Sequence, residues 1–320
     1  MAPIIFEIYR YNPEKDKEPY YKKYAVEIAR GTTVSMVLRK IKDKADGSLT
    51  FRKGCGSAIC GTCALRVNEK AVLACRTKIE DVVGDLEQAS ADKDVVKIDP
   101  LDNAQVVKDL VVAEDVFWNK LKQAMPWLNA EMTGEISELS KKDIDAMENA
   151  QDCIHCHACQ SGCDTYEVDE GFLGAEVMNK IYRFVMDPRD RISHQRLQMA
   201  NDGGLWNCVR AYSCIDACPK DIKPADKISK LHELGIDAGL TGKGARHAKH
   251  FVHGLRKTGK LDEMMMPLKT MGFGVLGFVP DTIKMVSKGK MPHIFNKKIE
   301  GQKEVWHLVE LSKDKKEVDE

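Results

Sequence analysis

One stretch of the chain carries its strongest pattern, Cys153-Ile154-His155-Cys156-His157-Ala158-Cys159-Gln160-Ser161-Gly162-Cys163. The four cysteines have the spacing C-x2-C-x2-C-x3-C, in which the first three hold one iron–sulfur cluster and the fourth reaches a second cluster. Such a run requires a partner run elsewhere, and the chain contains Cys208-x5-Cys214-x3-Cys218-Pro219. The two runs together predict two neighbouring clusters.

The two-cluster pattern divides these cysteines into two sets. The first set predicts a [4Fe–4S] cluster held by Cys153, Cys156, Cys159 and Cys218. The second set retains three ligands, Cys163, Cys208 and Cys214. Ala211 stands where a fourth cysteine would complete this set, and alanine cannot ligate iron. We therefore predict a [3Fe–4S] cluster; the alternative is a [4Fe–4S] cluster with a non-cysteine ligand such as water.

A third cysteine group precedes both runs and has the plant-type [2Fe–2S] spacing C-x4-C-x2-C…C. Its members are Cys55, Cys60, Cys63 and Cys75. Glycines 54, 56 and 61 permit tight turns that aim backbone N–H groups at the cluster sulfurs, which raises the reduction potential. A zinc site is the alternative, but the interleaved glycines favour the cluster. With this group all eleven cysteines have a role, which argues against a disulfide framework.

The flanking sequence predicts an α+β fold. Residues 4–11 and 20–28 read as a β-hairpin, and Thr32 or Thr33 can cap a helix that Gly47 ends. Val34, Val37, Leu38 and Ile41 form one face of that helix. A hairpin, a helix and a glycine-rich cysteine loop are typical of a β-grasp ferredoxin. We predict a β-grasp domain over residues 1–105, an α-helical two-cluster ferredoxin-like domain over 106–250, and a C-terminal extension over 251–320.

The sequence also predicts the secondary structure of the chain between and around the cysteine groups. Residues 81–109 read as a linker with short strands, and Val111, Phe117, Trp118, Leu121 and Met125 predict a helix before Pro126. Residues 140 to about 240 read as helical, with interruptions at the cysteine runs.

Composition excludes several functional classes. The formal net charge of the 320 residues is zero, so nucleic acid is not an expected partner. The N-terminus has no basic segment followed by an apolar run, so we expect no signal peptide. The longest apolar stretch, residues 271–280, is far shorter than the ~20 residues that span a bilayer. We therefore expect neither secretion by its own signal nor integration into the membrane.

These motifs together resemble the iron–sulfur subunit of succinate dehydrogenase and fumarate reductase, over residues 4 to about 240. Besides the three cysteine groups, the resemblance rests on Leu73-Ala-Cys75, Pro100-Leu-x-Asn, Val107-Lys-Asp-Leu-Val111, Arg183-Phe and Asp187-Pro-Arg189-Asp190. It implies an FAD-containing partner that interconverts succinate and fumarate, and a membrane-side partner that handles quinone. The chain would relay single electrons between them, with the two-iron cluster facing the flavin and the three-iron cluster facing the quinone. No catalytic residue is expected on this chain itself.

The sequence departs from the usual form of that family at two places. Cys163-Asp164-Thr165-Tyr166 lacks the usual proline and tryptophan, and Cys208-Val209 lacks the usual histidine. These departures argue against a conventional quinone pocket and haem-bearing anchor. With the extension beyond residue 250, they resemble the non-conventional subgroup whose third, membrane-associated subunit carries cysteine-rich CCG repeats, with menaquinol as the donor in anaerobic respiration. We expect a peripheral position on the cytoplasmic membrane, on the cytoplasmic face or, by co-export with a twin-arginine flavoprotein, on the periplasmic face.

Two other functions remain open at this point. One is a subunit of a thiol-dependent fumarate reductase or a heterodisulfide-reductase-like complex, against which Ala211 argues because such subunits carry a complete second run. The other is a free-standing ferredoxin, against which the long C-terminal extension argues.

Four minor features each have two readings. Gly272-Phe-Gly274-Val-Leu-Gly277 matches a dinucleotide motif, but a partner-facing loop fits better because no strand precedes it. His247, His250 and His253 could bind metal, although a solvated basic face fits better. His155 and His157 are expected to tune a cluster rather than replace a cysteine. Residues 264–266, with Met271, Phe273, Leu276 and Phe278, could form a contact surface for the third subunit or pack into the chain's own core.

Overall fold

The structure, a computed structural model, describes residues 3–86, 95–130, 138–147, 149–240, 242–290 and 296–318. It divides into two compact units, Met1–Leu231 and His232–Glu320. All eleven cysteines belong to the first unit. The three-part division with boundaries at residues 105 and 250 stays a prediction.

A five-stranded mixed sheet forms the N-terminal part of the first unit. Its strands are β1 (Ile4–Arg10), β2 (Tyr20–Val26), β3 (Ala64–Val67), β4 (Lys70–Leu73) and β5 (Val95–Asp99), and they lie in the order β2-β1-β5-β3-β4. β1 and β2 form the predicted antiparallel hairpin, whereas β1 and β5 run parallel. The predicted hairpin is therefore confirmed.

Helix α1 (Val34–Lys44) supplies most of the remaining core of this part. Every second residue of β1 is buried, and the predicted face of α1 is fully buried, each of its four residues being 1% exposed or less. Thr33 occupies the N-cap position, as one of the two predicted residues. The predicted end at Gly47 is wrong, because the backbone N–H of Ala45 already closes the helix on the carbonyl of Ile41.

Two other predictions require correction. The short strands predicted within residues 81–109 are present, but β5 lies at the centre of the sheet, with Val96 and Ile98 fully buried, and is core rather than linker. Residues 87–94 of this stretch lie outside the described part of the chain. The parallel pairing of β5 with the distant β1 leaves no local sequence pattern that would reveal it. Val111 lies in a strand rather than in the predicted helix: β6 (Val106–Lys108) and β7 (Val111–Val112) form a small second sheet.

Helices make up the rest of the first unit, as predicted, and they are interrupted at both cysteine runs. Short 3-10 turns at residues 150–152 and 205–207 precede the two runs. The helices are α2 (Glu80–Val83), α3 (Asp115–Gln123), α4 (Lys141–Met147), α5 (Ala158–Ser161), α6 (Asp164–Val168), α7 (Ala175–Val185), α8 (Ser193–Asp202), α9 (Ser213–Asp216) and α10 (Pro224–Asp237).

The second unit is helical. After the end of α10 it contains α11 (Lys243–Thr258), α12 (Met265–Met271), a 3-10 segment at Gly272–Phe278, α13 (Val279–Ser287) and α14 (Gln302–Val318). The glycine motif thus follows a helix and lies within 3-10 structure, so the dinucleotide reading is wrong. Among the described residues, no helix combines the length and apolar character needed to cross a bilayer.

The buried carboxylate of Asp109 connects the sheet to the chain that enters the first cysteine loop. Asp109 is 1% exposed and accepts hydrogen bonds from Arg10 Nε at 3.0 Å and from the backbone N–H of Thr50 at 2.8 Å. Arg10 is also buried and reaches Asp46 at 2.7 Å. The start of the cysteine loop is therefore tied to β1 by a buried ion-pair network.

Removing this carboxylate should destabilise the sheet. We expect Asp109→Ala to lower the free energy of unfolding by about 3–5 kcal/mol, because it leaves Arg10 buried with one partner fewer. Asp43→Ala is the matched control: Asp43 is exposed and paired with Arg39 on α1, so its loss should cost less than about 1 kcal/mol. Urea unfolding of the two full-length variants, followed by far-ultraviolet circular dichroism, measures the difference; equal midpoints would contradict the prediction.

Candidate metal centres

The loop of residues 54–63, called the two-iron loop below, turns its backbone N–H groups toward cysteine sulfurs. Cys55 Sγ accepts from the N–H groups of Ser57, Ile59 and Cys60 at 3.3–3.4 Å. The N–H of Ala58 donates to Cys75 Sγ at 3.3 Å, which brings the distant fourth cysteine to the same loop. This is the donor arrangement expected around a sulfur-ligated cluster.

Close contact at Gly54 and backbone conformation at Gly56 and Gly61 favour glycine in this loop. A Cβ on Gly54 would lie 2.7 Å from Cys60 Sγ, which is too close for any side chain. Gly56 and Gly61 have φ of +70° and +73°, the left-handed region that glycine adopts without strain. The predicted role of the three glycines in shaping the loop agrees with these contacts.

Cysteine acidity in the two-iron loop follows from the same geometry. Hydrogen bonds from the backbone N–H of Ser57, then of Ile59 and Cys60, lower the pKa of Cys55 to about 6. Burial instead raises the pKa of Cys63 to about 11. The exposed thiol is therefore ready to ligate, whereas the buried thiol requires the positive charge of a metal to release its proton.

The first helical cysteine run surrounds a small cavity, and we call residues 153–159 the four-iron loop. Cys153, Cys156, Cys159 and the distant Cys218 line this cavity together. Burial raises the pKa of Cys153 and of Cys156 to about 12. Four sulfurs around one cavity fit a [4Fe–4S] cluster, and the thiols of Cys153 and Cys156 among them need a cation before they release their protons.

A buried glutamate borders the same cavity. Glu176 on α7 is 2% exposed, and its carboxylate lies 2.7 Å from His155 Nδ1 and 3.2 Å from His157 Nδ1. Burial raises the pKa of Glu176, but hydrogen bonds from the two histidines outweigh it and hold the pKa below its ordinary value. A negative charge therefore stays beside Cys153, whose Sγ is 3.9 Å from the carboxylate.

Helix α3 covers the two histidines with aromatic rings. The ring centroids of Phe117 and His157 are 4.0 Å apart. The ring of Trp118 lies farther away and about equally far from both histidines, with centroid distances of 6.0 Å to His155 and 6.2 Å to His157. His155 and His157 both have left-handed backbone conformations, with φ of +52° and +60°. The histidines thus face Glu176 and α3, and Cys156 lies between them in the sequence; their tuning role stays a prediction.

The second cysteine run repeats the backbone of the first. Cys208 has φ −59° and ψ 115°, close to the −62° and 120° of Cys153. Arg210 and Tyr212 have φ of +59° and +62°, as His155 and His157 do at the equivalent positions. Helices α5 and α9 follow at the same point of each run. Ala211 therefore occupies the backbone position that Cys156 holds in the four-iron loop.

The remaining three cysteines lie near one another. Burial raises the pKa of Cys214 to about 12, and the nearby sulfurs of Cys208 and Cys163 add to the shift. Cys214 in turn contributes to the raised pKa of buried Cys159, after burial and Glu176. This group therefore borders the four-iron set, as the shared two-run pattern requires.

Three residues that shape the site had no role predicted from the sequence. Glu176 lies in an ordinary helix, and Arg76 and Asn103 lie outside the cysteine runs. Asn103 Nδ2 donates to the backbone carbonyls of Gln160 and Cys163 at 2.8 and 3.2 Å, which joins the chain before β6 to the end of the first run. The one available signal for Asn103 was its place in the motif Pro100-Leu-x-Asn, which the family resemblance included without giving it a role.

The minor features have clearer readings in the structure. His247, His250 and His253 do lie on α11, but among the described residues three metal-ligating atoms converge within 4.8 Å at one group, Cys153, His155 and Glu176. Metal binding on α11 therefore has no support. Around the glycine motif, Met266 is buried, whereas Phe273 is 93% exposed and Leu276 is 64% exposed. Most of that predicted contact surface is thus open to solvent.

Comparisons with known proteins agree with this geometry. Residues 5–119 match the family described as 2Fe-2S iron-sulfur cluster binding domain, and residues 149–222 match the 4Fe-4S dicluster domain. The chain is 33% identical over 294 residues to the 8-methylmenaquinol:fumarate reductase iron-sulfur subunit of Wolinella succinogenes, covering 89% of this chain and 90% of that one. It is 33% identical over 235 residues to the fumarate reductase iron-sulfur subunit of Mycobacterium tuberculosis, covering 72% and 92%.

The chain belongs to the family of succinate dehydrogenase and fumarate reductase iron–sulfur subunits. A mitochondrial succinate dehydrogenase [ubiquinone] iron-sulfur subunit 1 from Oryza sativa is another relative, 34% identical over 241 residues, which cover 73% of this chain and 82% of that one.

The fold of this iron–sulfur subunit also matches a solved structure. A chain of the Mycobacterium smegmatis Sdh1 complex in the apo form superposes with a TM-score of 0.65 at 22% identity, covering 74% of this chain and 96% of that one. The predicted fold class, a β-grasp ferredoxin part followed by a helical two-cluster part, is confirmed. The assignment of individual cysteines to clusters stays a prediction.

The charge of Glu176 should lower the midpoint potential of the neighbouring cluster. Glu176→Gln should raise the midpoint potential of the [4Fe–4S] cluster by on the order of 50 mV, because a single partly screened charge at several ångströms opposes the incoming electron by about 1 kcal/mol or more. Potentiometric titration monitored by electron paramagnetic resonance (EPR) measures it. Glu170→Gln, a change at an exposed residue, is the control; a potential that moves equally in both variants would contradict the prediction.

Proposed function

We propose that this chain carries single electrons between an FAD subunit, where succinate and fumarate interconvert, and a quinone-side subunit in a quinol:fumarate reductase. One observation carries the proposal: three cysteine sets lie next to one another in the order two-iron, four-iron, three-iron. A relay needs such a series, because electrons pass only between close centres. The chain's own part is to hold, space and tune these centres.

We assign the ligands as follows. The two-iron set is Cys55, Cys60, Cys63 and Cys75; the four-iron set is Cys153, Cys156, Cys159 and Cys218; the three-iron set is Cys163, Cys208 and Cys214. When bound, each cluster accepts and releases one electron at a time. The protein stabilises the sulfurs through the backbone N–H donors of the two-iron loop, and Glu176 sets the charge beside the four-iron set.

The three-iron assignment is supported by the repeated backbone of the two runs. Ala211 occupies the position equivalent to Cys156 and offers only a methyl group. The neighbouring left-handed residues, Arg210 and Tyr212, keep the loop in its cluster-wrapping form. The site therefore has the shape for a cubane and lacks one thiolate.

We further place the chain in the subgroup with a CCG-domain third subunit and menaquinol as donor. The Wolinella relative, named for 8-methylmenaquinol, is matched over 89% of this chain, which leaves about 35 residues unmatched. That match therefore enters the extension after residue 250, whereas the mitochondrial and mycobacterial relatives match only 73% and 72%. The shared extension supports a shared third subunit.

The exposed apolar side chains of the second unit are the contact surface that we propose for the CCG subunit. Phe273, Leu276 and Ile283 are each 63% exposed or more, and they follow one another through the 3-10 segment and α13. Apolar surface of this kind in a soluble unit marks a place where a partner binds. Through its partners the chain would lie at the periphery of the cytoplasmic membrane.

Restoring the missing thiolate tests the three-iron assignment. Ala211→Cys should abolish the EPR signal of the oxidised [3Fe–4S] cluster and add one iron atom per chain, because four sulfurs then bind a complete cubane. Val209→Cys, which adds a thiol one residue after Cys208, should leave the signal unchanged. A native protein without a three-iron signal would favour a [4Fe–4S] cluster with a water ligand.

Isolation of the complex tests the function itself. The native complex, purified anaerobically from membranes, should contain a flavoprotein and a CCG subunit and couple menaquinol oxidation to fumarate reduction. Phe273→Ser with Leu276→Ser should release the CCG subunit but keep the flavoprotein, and Val168→Ser, at an apolar residue 82% exposed elsewhere, should release neither. Fumarate reduction driven by thiols and not by menaquinol would favour the heterodisulfide-reductase-like alternative; a lone chain would favour the ferredoxin.

A further inference from the structure

The two-iron loop and the four-iron loop touch backbone to backbone. A Cβ on Gly61 would lie 2.5 Å from the carbonyl oxygen of Ile154 and 3.0 Å from Cys156 Cβ. Real Cβ atoms do not approach a carbonyl oxygen so closely, so only glycine permits this contact. Gly61 directly follows the ligand Cys60, and Ile154 lies between two ligands of the neighbouring set.

A second contact joins the same two sites from the other ends of their ligand sets. Arg76 directly follows the ligand Cys75, and its Nη1 donates a hydrogen bond of 2.7 Å to the carbonyl oxygen of Pro219. Pro219 directly follows the ligand Cys218. This hydrogen bond is exposed to solvent, but its charged donor makes it stronger than a neutral one, and it links the two sites directly.

Packing supports these contacts on one side, and on the other side a cavity of about 260 Å³ is lined by Gly61, Ile154 and Cys156. Ile154 and Cys156 are partly buried against the hydrophobic core of the N-terminal sheet. The four-iron loop is therefore seated on the sheet part of the molecule, and the two sites share one boundary. A Cβ on Gly61 would meet backbone atoms of the four-iron loop, which cannot rotate away as a side chain can, so one loop must move relative to the other.

We propose that Gly61 and Arg76 are positioning residues that set the distance over which an electron passes between the two-iron and four-iron sites. Gly61 does so by having no side chain, and Arg76 by holding Pro219. Neither residue ligates iron in our assignment. The inference rests on the proposed function, because it requires a cluster in each loop.

A variant at Gly56 separates the effect of the close contact at Gly61 from the effect of backbone strain. Gly56 lies in the same loop and has nearly the same φ, +70° against +73°. A Cβ on Gly56 would meet nothing within 4 Å. Gly56→Ala and Gly61→Ala therefore impose the same left-handed strain, but only Gly61→Ala drives the two loops apart.

The experiment compares these variants in the native complex, purified anaerobically and fully reduced. The readout is the relaxation enhancement of the two-iron EPR signal by the reduced four-iron cluster, which falls steeply with distance. Iron and acid-labile sulfide are measured in parallel to establish that both clusters are present. We expect Gly61→Ala to weaken the enhancement several-fold and Gly56→Ala to retain it. Equal enhancement in the two variants would overturn the role of Gly61.

Arg76 provides a second test that leaves the two-iron loop intact. Arg76→Ala should weaken the same enhancement with unchanged cluster content, whereas Arg39→Ala, an exposed arginine on α1, should not. If the Gly61→Ala variant cannot assemble its two-iron cluster, the test rests on Arg76→Ala. An unchanged relaxation enhancement in the Arg76→Ala complex would then overturn the inference. Loss of both cluster signals from the unmodified complex would instead overturn the proposed function.

Discussion

Thiolates are costly to bury, and this constraint organises the first unit of the molecule. Burial raises the pKa of Cys156 and Cys214 to about 12, so the sulfurs cannot be charged there without a cation. A bound iron–sulfur cluster would supply that charge, and the backbone must then approach the sulfurs without blocking them. Short helices, left-handed residues and glycines around the cysteines are the consequence.

The left-handed residues show how this requirement overrides local preference. His155, His157, Arg210 and Tyr212 all have positive φ, which is uncommon for residues other than glycine, and each lies beside Cys156 or the equivalent Ala211. Strain of this kind persists only where the surroundings impose it. In the first run the histidines also contact Glu176, so the residues that turn the loop also determine the charge beside the cluster site.

The boundary between the sheet part and the helical part gives the arrangement its function. A relay requires each site to lie close to the next. Here the four-iron loop packs on the core of the sheet, and Asn103 fastens the end of the same run from the other side. The spacing of the sites is therefore a property of domain packing as much as of the loops that hold the ligands.

The sequence by itself determined which chemistry the chain performs, because cluster ligation depends on cysteine spacing within short loops. It also predicted the hairpin and α1, whose patterns are local. Only the tertiary structure revealed β5 at the centre of the sheet, Glu176 between two histidines, and the contacts of Gly61 and Arg76. These features join residues far apart in the chain, and nothing in the local periodicity or composition records which distant residue each will meet.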